Sequence, residues 1–483
     1  MEPTIKSRVF SAVRWTTLGG GLRACLQVAQ VAILARLLPP SDFGLMAMVT
    51  VVLGFATLFA DMGLSSAFMQ RRVVTDDERN SLFWLNVAIA SLIFVLVVCV
   101  SHIVSLWFGS VELQGALIFA ALTLLINATG QQLRMNAEKS LNFRVVTLIE
   151  VFSAVMAFVL AVICAYSGAG FYSLVISSVA CSTSNAIFAW IFLSEGWRPK
   201  LKFRLDDVRG YAGFGGALVM SNLLNEFNRN VDLMLAGRLL GAQALGYLSI
   251  PRALVFQVQG LINPIVNRVG FPVIAQVQAE VPLVRAIFLM SLNMTSSANA
   301  PLYMGMAIFA PEVVHAVLGP QWAQSTELLV PLALWGFLRA TGNPAGSLLL
   351  GMGRADLSLK WNLALAFIVA PCLWLGAFYG PIGIARALMY WNMFQFCLVW
   401  ILIVRPLTQA TFSEYLLATL RPMLLSLLAL WPTYILVAPL TQSVTRLAVG
   451  ACVSASIYIA LSHVLNRDWT RSLYKLIGIP RSA

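Results

Sequence analysis

The stretch Ser221-Asn-Leu-Leu-Asn-Glu-Phe-Asn-Arg-Asn-Val-Asp-Leu-Met-Leu-Ala-Gly-Arg238 decides how the chain is read, because it is polar inside a sequence that is mostly apolar. At helical spacing Asn222, Asn225, Glu226, Arg229 and Asp232 share one face, flanked by Leu224, Phe227, Val231 and Leu235. The stretch lies in a span of bilayer length, where a central arginine or aspartate costs roughly 2.5 to 3.5 kcal/mol on insertion scales. Charges placed there face a bundle interior or an aqueous cavity. A membrane helix with one wet side is therefore expected.

Around this stretch, 59% of the 483 residues are hydrophobic and only 11% are charged, with a mean hydropathy of +0.82. That mixture excludes an ordinary soluble domain and predicts a polytopic membrane protein. The formal charge of +12 does not point to nucleic acid, since the basic residues form no aromatic-interleaved patch. Seven cysteines are scattered through apolar spans without a C-x-x-C and read as small buried hydrophobes. His102, His315 and His463 are too far apart for a local metal motif, and Gly19-Gly-Gly21 lacks the strand, lysine and serine of a phosphate loop. No small-residue cleavage site follows a compact apolar core near the amino terminus, so the first span is expected to stay as a membrane helix.

Apolar spans fall near 12–38, 43–69, 82–108, 112–133, 146–166 and 170–194, then 211–239, 244–272, 285–310, 323–350, 358–378, 382–404, 415–437 and 443–465. This predicts an all-α integral membrane protein of about fourteen transmembrane helices. Alternate loops carry Arg71, Arg72 and Arg79, then Arg134, Lys139 and Arg144, then Arg198, Lys200, Lys202, Arg204 and Arg209, while the opposite loops are short and nearly free of lysine and arginine. By the positive-inside rule both termini are cytoplasmic.

A repeat is also legible. Arg36-Leu-Leu-Pro-Pro-Ser-Asp-Phe-Gly44 aligns without a gap on Arg238-Leu-Leu-Gly-Ala-Gln-Ala-Leu-Gly246. Leu85-Asn86 answers Leu292-Asn293, Leu133-Arg134 answers Leu338-Arg339, and Tyr166 to Gly170 answers Tyr379 to Gly383. Each pair keeps its helix number within its half, so the repeats are parallel and related by an axis along the membrane normal. The expected organisation is a first lobe over 1–195, a cytoplasmic amphipathic linker over 196–210, a second lobe over 211–404, and two extra helices with a tail over 405–483. Proline is absent from Ser41 to Arg198, yet Pro264, Pro272, Pro301, Pro331, Pro344 and Pro371 fall in the second half, which is expected to bend more.

Carried back through the ungapped register, Asn225, Arg229 and Asp232 correspond to Arg23, Gln27 and Gln30, so the first helix of each lobe presents a polar seam. Two such seams would line a central cleft; internal pairing of Arg229 with Asp232 or Glu226 is the structural alternative. Asp61, Glu150, Arg252, Arg339, Arg386 and Arg421 are further charges inside spans, and Asp61 is the candidate coupling carboxylate of the first half. A drug or cation antiporter fits this arginine-rich seam poorly. A membrane polymerase or ligase would need a sizeable outward catalytic loop, and the outward loops are short.

The chain resembles the Wzx-type polysaccharide flippases, the polysaccharide-transporter branch of the multidrug/oligosaccharidyl-lipid/polysaccharide (MOP) exporter superfamily, with its MATE-like fold. The residues that carry the likeness are Ala35 to Leu45, Phe59-Ala-Asp-Met-Gly-Leu64 through Gln70, Phe83-Trp-Leu-Asn86, Asn230-Val-Asp232, Gly237-Arg-Leu-Leu-Gly241, Leu245-Gly-Tyr247, and Phe271-Pro272 through Gln276. The resemblance implies two six-helix lobes, two added carboxy-terminal helices, no enzymatic activity, and residence in a bacterial inner membrane. It implies an undecaprenyl-diphosphate-linked oligosaccharide as cargo for exopolysaccharide or lipopolysaccharide synthesis, and polysaccharide polymerase and export machinery as further partners. No cofactor is expected, only a membrane potential or ion gradient. In that setting Arg23, Arg229, Arg252 and Arg339 are the candidate anion ligands, Gln27, Gln30, Asn222 and Asn225 the candidate sugar ligands, and Asp61, Glu226 and Asp232 the candidate coupling or tuning groups.

Overall fold

The structure is a computed structural model that describes residues 5–61, 64–71 and 74–471. It is built of helices: α1 (Ile5–Leu37), α2 (Pro40–Asp61), α3 (Leu64–Gln70), α4 (Asp76–Phe108), α5 (Glu112–Lys139), α6 (Phe143–Tyr166), α7 (Tyr172–Leu193), α8 (Leu205–Gln276), α9 (Val281–Ile308), α10 (Ala310–Val313), α11 (Gln324–Thr341), α12 (Pro344–Gly351), α13 (Ala355–Ala377), α14 (Gly380–Val399), α15 (Arg405–Thr408), α16 (Phe412–Val437) and α17 (Ser443–Leu465). Twelve helices among the described residues are long and apolar enough to cross a bilayer. One of these, 220–260, turns at Gly241 (φ 81°, ψ 178°) and so holds two of the expected spans, while α11 and α12 together fill the expected tenth. About fourteen spans result, as the hydropathy pattern implied.

The chain packs as two compact units, 1–246 and 247–483. The expected boundary lay in the linker at 196–210; the observed one follows the seventh span, which packs with the first six. The reason is visible at the repeat itself. A β-carbon added at Gly44 would strike the backbone carbonyl of Ala242, and one added at Gly246 would strike that of Pro40. In the ungapped register Pro40 matches Ala242 and Gly44 matches Gly246, so the contact is reciprocal, as a two-fold axis between the two copies requires. Backbones this close demand glycine on both sides. Phe108 against Gly237 and Glu226 against Gly54 bring the same helix further onto α2 and α4.

Within unit 1 the centre is α5, whose Leu113, Ala116, Leu117, Ala120 and Ala121 are fully buried against its neighbours. Small residues predominate because lipid offers no hydrophobic driving force and association depends on close packing. A capping box of Thr75 and Glu78 starts α4. Within the linker, residues 198–204 run without helix, clasped to the start of α4, and 205–210 open α8. The Lys200 N–H donates to Asn80 Oδ1 (3.1 Å), the Arg204 N–H donates to Ser81 Oγ (3.2 Å), and the Trp84 indole N–H donates to the Lys200 carbonyl (2.8 Å). Lys202 pairs with Asp77 at 2.6 Å, and Trp197 stacks on Trp190 beneath the Arg79 guanidinium. Helix resumes only at Leu205.

Within unit 2, α9 is central, packed against both α11 and α16, and one of its buried clusters joins Phe288 and Leu292 of α9 to Leu348 of α12, to Ile403, and to Tyr415 of α16. Tyr415 stacks between Phe288 and Phe396, with ring centroids at 6.4 and 4.3 Å. The two added helices are joined to this core, since the Tyr458 hydroxyl of α17 donates to the Ser297 carbonyl of α9 (2.8 Å). Prolines interrupt α9, α11, α13 and α16 at Pro301, Pro331, Pro371, Pro422 and Pro432.

The cysteines depart from expectation. Cys25, Cys99, Cys397 and Cys452 are exposed on spanning helices and the other three are half-buried. A thiol is apolar enough to face hydrocarbon, so burial in protein was never required of it.

The repeat contact gives a direct test. Gly246→Ala must displace the Pro40 carbonyl and is expected to cost about 1 to 3 kcal/mol of stability. Gly20→Ala, which meets nothing within 4 Å, is expected to leave stability unchanged or slightly raised. Thermal unfolding in detergent reads both; equal melting of the two variants would contradict the packing.

Candidate functional site

The first polar constellation grows from two glycines. Gly19 on α1 brings its helix against Thr147 of α6, and Gly130 on α5 brings its helix against Ala186 of α7. One turn beyond each glycine stands an arginine, Arg23 and Arg134. Both reach Glu150, one turn beyond Thr147, with Arg23 Nη1 at 2.8 Å from Oε2 and Arg134 Nη2 at 3.1 Å from Oε1. Glu150 thus bridges two guanidinium groups, one oxygen to each. Arg134, read from sequence as a loop residue, is inside α5. Lower on the same face, Gln30 Nε2 donates to Ser177 Oγ (3.2 Å).

Asp61 occupies a second constellation. Ser65 Oγ and Gln131 Nε2 both donate to its Oδ1, the latter at 2.7 Å, and Gln131 also reaches Ser65 Oγ at 2.7 Å. These two neutral donors hold the carboxylate between α2, α3 and α5.

The polar face of 221–238 divides when placed in three dimensions. Glu226 lies against Gly54 of α2 and accepts from Asn230 Nδ2 at 2.7 Å. Asp232 is 2% exposed, whereas Asn225 and Arg229 are exposed and Asn222 is intermediate. Neither Arg229 nor Asp232 is without a partner, and the same holds for Gln27.

Unit 2 contributes a pair of arginines on one aromatic platform. Phe256 and Trp335 meet edge to face with centroids 5.4 Å apart. The Arg252 guanidinium lies 4.6 Å from Phe256 and 5.9 Å from Trp335; that of Arg339 lies 5.2 and 5.5 Å from the same two rings. Aromatic faces attract both cations. Below them, the Tyr303 hydroxyl donates to the Val255 carbonyl (3.0 Å), and Asn263 Nδ2 donates to the Ala340 carbonyl (3.2 Å). Asn299 Nδ2 donates to Asn263 Oδ1 (3.4 Å). The Trp335 indole N–H and Asn299 Oδ1 are buried and meet no hydrogen-bond partner among the described residues. Chemically this is a pair of cations, Arg252 buried, with polar groups packed beneath them.

The structure therefore brings together Arg23 with Glu150 and Arg134, and Arg252 with Arg339. Phe256, Trp335, Tyr303, Asn263 and Asn299 were not singled out in the sequence, nor was Glu150 assigned as the partner of Arg23. Two of these carried a signal: Arg252 and Phe256, and likewise Trp335 and Arg339, are spaced i, i+4 on their helices, which places each cation over its ring.

Comparison with known proteins agrees with this architecture. Residues 33–327 match a family described as "Polysaccharide biosynthesis protein". The chain is 31% identical over 360 residues to the teichuronic acid biosynthesis protein TuaB of Bacillus subtilis (strain 168), covering 74% of each chain. It is 26% identical over 434 residues to the lipopolysaccharide biosynthesis protein WzxC of Escherichia coli (strain K12), covering 90% of this chain and 88% of the other. Its fold is similar to that of the lipid II flippase MurJ in an inward closed conformation, with a TM-score of 0.75 at 12% identity over 94% of this chain and 99% of that one.

Glu150→Gln leaves two guanidinium groups facing an amide and is expected to lower stability by about 1 to 3 kcal/mol, between the limits for exposed and buried pairs. Adding Arg134→Gln should recover part of that loss. Melting temperatures of the two single variants and the double variant give the coupling; additive losses would remove the triad from the account.

Proposed function

Because the chain belongs to the polysaccharide biosynthesis protein family, within the polysaccharide-transporter branch of the MOP superfamily, we propose that it flips an undecaprenyl-diphosphate-linked oligosaccharide from the cytoplasmic to the periplasmic leaflet. The chain is a multi-pass membrane transporter of polysaccharide biosynthesis, not an enzyme. In this proposal the chain sits in the inner membrane with both termini cytoplasmic.

The observation that carries it is the pair Arg252 and Arg339 on a shared aromatic platform. Sugar hydroxyls and a diphosphate cannot enter hydrocarbon bare, since each unpaired polar group costs several kcal/mol. Guanidinium forks donate paired, charge-assisted hydrogen bonds to phosphate oxygens. Rings beneath the guanidinium groups attract both cations and hold them side by side, concentrating positive charge at one place in unit 2. Arg23 and Arg229 are assigned to the same diphosphate in the course of alternating access. Asn222, Asn225, Gln27 and Gln30 are assigned to sugar hydroxyls, and Asp61, Glu226 and Asp232 to coupling or tuning. No cofactor is required: moving an anion outward follows a potential negative inside, at about 2.3 kcal/mol per charge per 100 mV. An ion gradient is the other available source, and polymerase and export proteins are the partners that would take the product.

Export of polymer in a strain lacking its own flippase is the test. Arg252→Gln and Arg339→Gln are each expected to reduce secretion about tenfold to a hundredfold, the worth of one charged hydrogen-bonding partner. Arg229→Ala is expected to abolish it, in every case at normal protein level. Lipid-linked repeat units should accumulate facing the cytoplasm. Undiminished export by these variants would overturn the assignment.

A further inference from the structure

Arg421 is used by none of the constellations above. It lies roughly 13 Å into α16 at 1.5 Å per residue, and Leu417, Leu424 and Leu428, at spacings of four, three and seven residues, share its face. These leucines are 61%, 53% and 60% exposed, the profile of a stripe turned to lipid. Arg421 is exposed as well, and it makes no ion pair or hydrogen bond with the described residues. A guanidinium on a lipid-facing stripe is costly unless its head reaches the interface and finds a counter-charge there.

The surroundings supply a place for that counter-charge. A pocket of about 470 Å³ is lined by Arg421, Arg471, Trp469, Asn293, Leu289 and Met290, with one carboxylate, Asp468, also on its wall, so the charge of the lining is two cations against one anion. Its outer wall is the chain just past α17, which is fixed: Asn466 is 2% exposed and donates to Ser297 Oγ of α9 at 2.8 Å, and the Trp469 ring packs on Tyr458 at 5.5 Å. The second cation, Arg471, has Asp468 only at 3.9 Å. One end of the pocket thus offers two guanidinium groups, an amide and an indole, the groups that settle at a membrane interface. The other end offers Leu289 and the half-exposed Met290, continuous with hydrocarbon.

We propose that this pocket binds the phosphate headgroup of an anionic bilayer phospholipid, with Arg421 and Arg471 on the phosphate and the acyl chains along the leucine stripe of α16. The site is separate from the cargo residues and does not depend on the flippase reading. Its chemistry, a lipid phosphate, is shared with undecaprenyl phosphate, so the experiment distinguishes the two. The purified full-length chain is delipidated in detergent, and native mass spectrometry reads retention of added phosphatidylglycerol, phosphatidylcholine or undecaprenyl phosphate. The wild type is expected to retain phosphatidylglycerol over phosphatidylcholine. Arg421→Gln and Arg471→Gln should each weaken that retention roughly fivefold, with lipid-free melting unchanged, and Arg421→Lys should stay within about twofold of wild type because the point charge survives. Equal phosphatidylglycerol retention by wild type and the Arg421→Gln/Arg471→Gln double variant would overturn the proposal. Retention of undecaprenyl phosphate without retention of phosphatidylglycerol would overturn it too.

Discussion

A charge carried into a bilayer must be answered by an opposite charge, a donor, an aromatic face, water or a ligand, and that constraint arranges the polar side chains of this molecule. Unit 1 answers with charge and amide: Glu150 is shared by Arg23 and Arg134, Asp61 is held by Ser65 and Gln131, and Glu226 accepts from Asn230. In unit 2 the guanidinium groups of Arg252 and Arg339 lie over the rings of Phe256 and Trp335.

The glycines decide where these answers are possible. Gly19 and Gly130 bring α1, α5, α6 and α7 close enough for three charged side chains to meet, and Gly44 with Gly246 lets two copies of one repeat touch through their backbones. At Gly19, Gly44 and Gly246 a methyl group has no room, and at Gly130 it would fit only tightly. The function of the fold is in that sense set by absent side chains: packing tight enough to hold charge in hydrocarbon depends on residues that contribute no surface of their own.

Much of this was legible in the sequence. Apolar runs gave nearly every helix, because a bilayer forces length and composition together. The ungapped match of 36–44 on 238–246 foretold a two-fold relation that the reciprocal contacts of Gly44 and Gly246 display. What was not legible was pairing. Nothing local says that Arg23 will meet Glu150, or that Glu226 will lie against Gly54 while Arg229 of the same polar face stays exposed. The amphipathic linker was legible as a tether, but not what fixes it, because its backbone is bound by Asn80 and Ser81 from a distant part of the chain. Phe256 and Trp335 were passed over because an aromatic ring in an apolar span has no contrast; only its i, i+4 relation to an arginine marks it.

The central claim is that arginines within membrane helices recognise the diphosphate that joins lipid to sugar. Proteoliposomes containing the wild-type chain, with an imposed potential, can be offered a fluorescent oligosaccharide on a polyprenyl diphosphate and the same oligosaccharide on a neutral polyprenyl ether. The account predicts that the diphosphate-linked sugar crosses and the neutral one does not; equal crossing of the two, or crossing of neither, would contradict it.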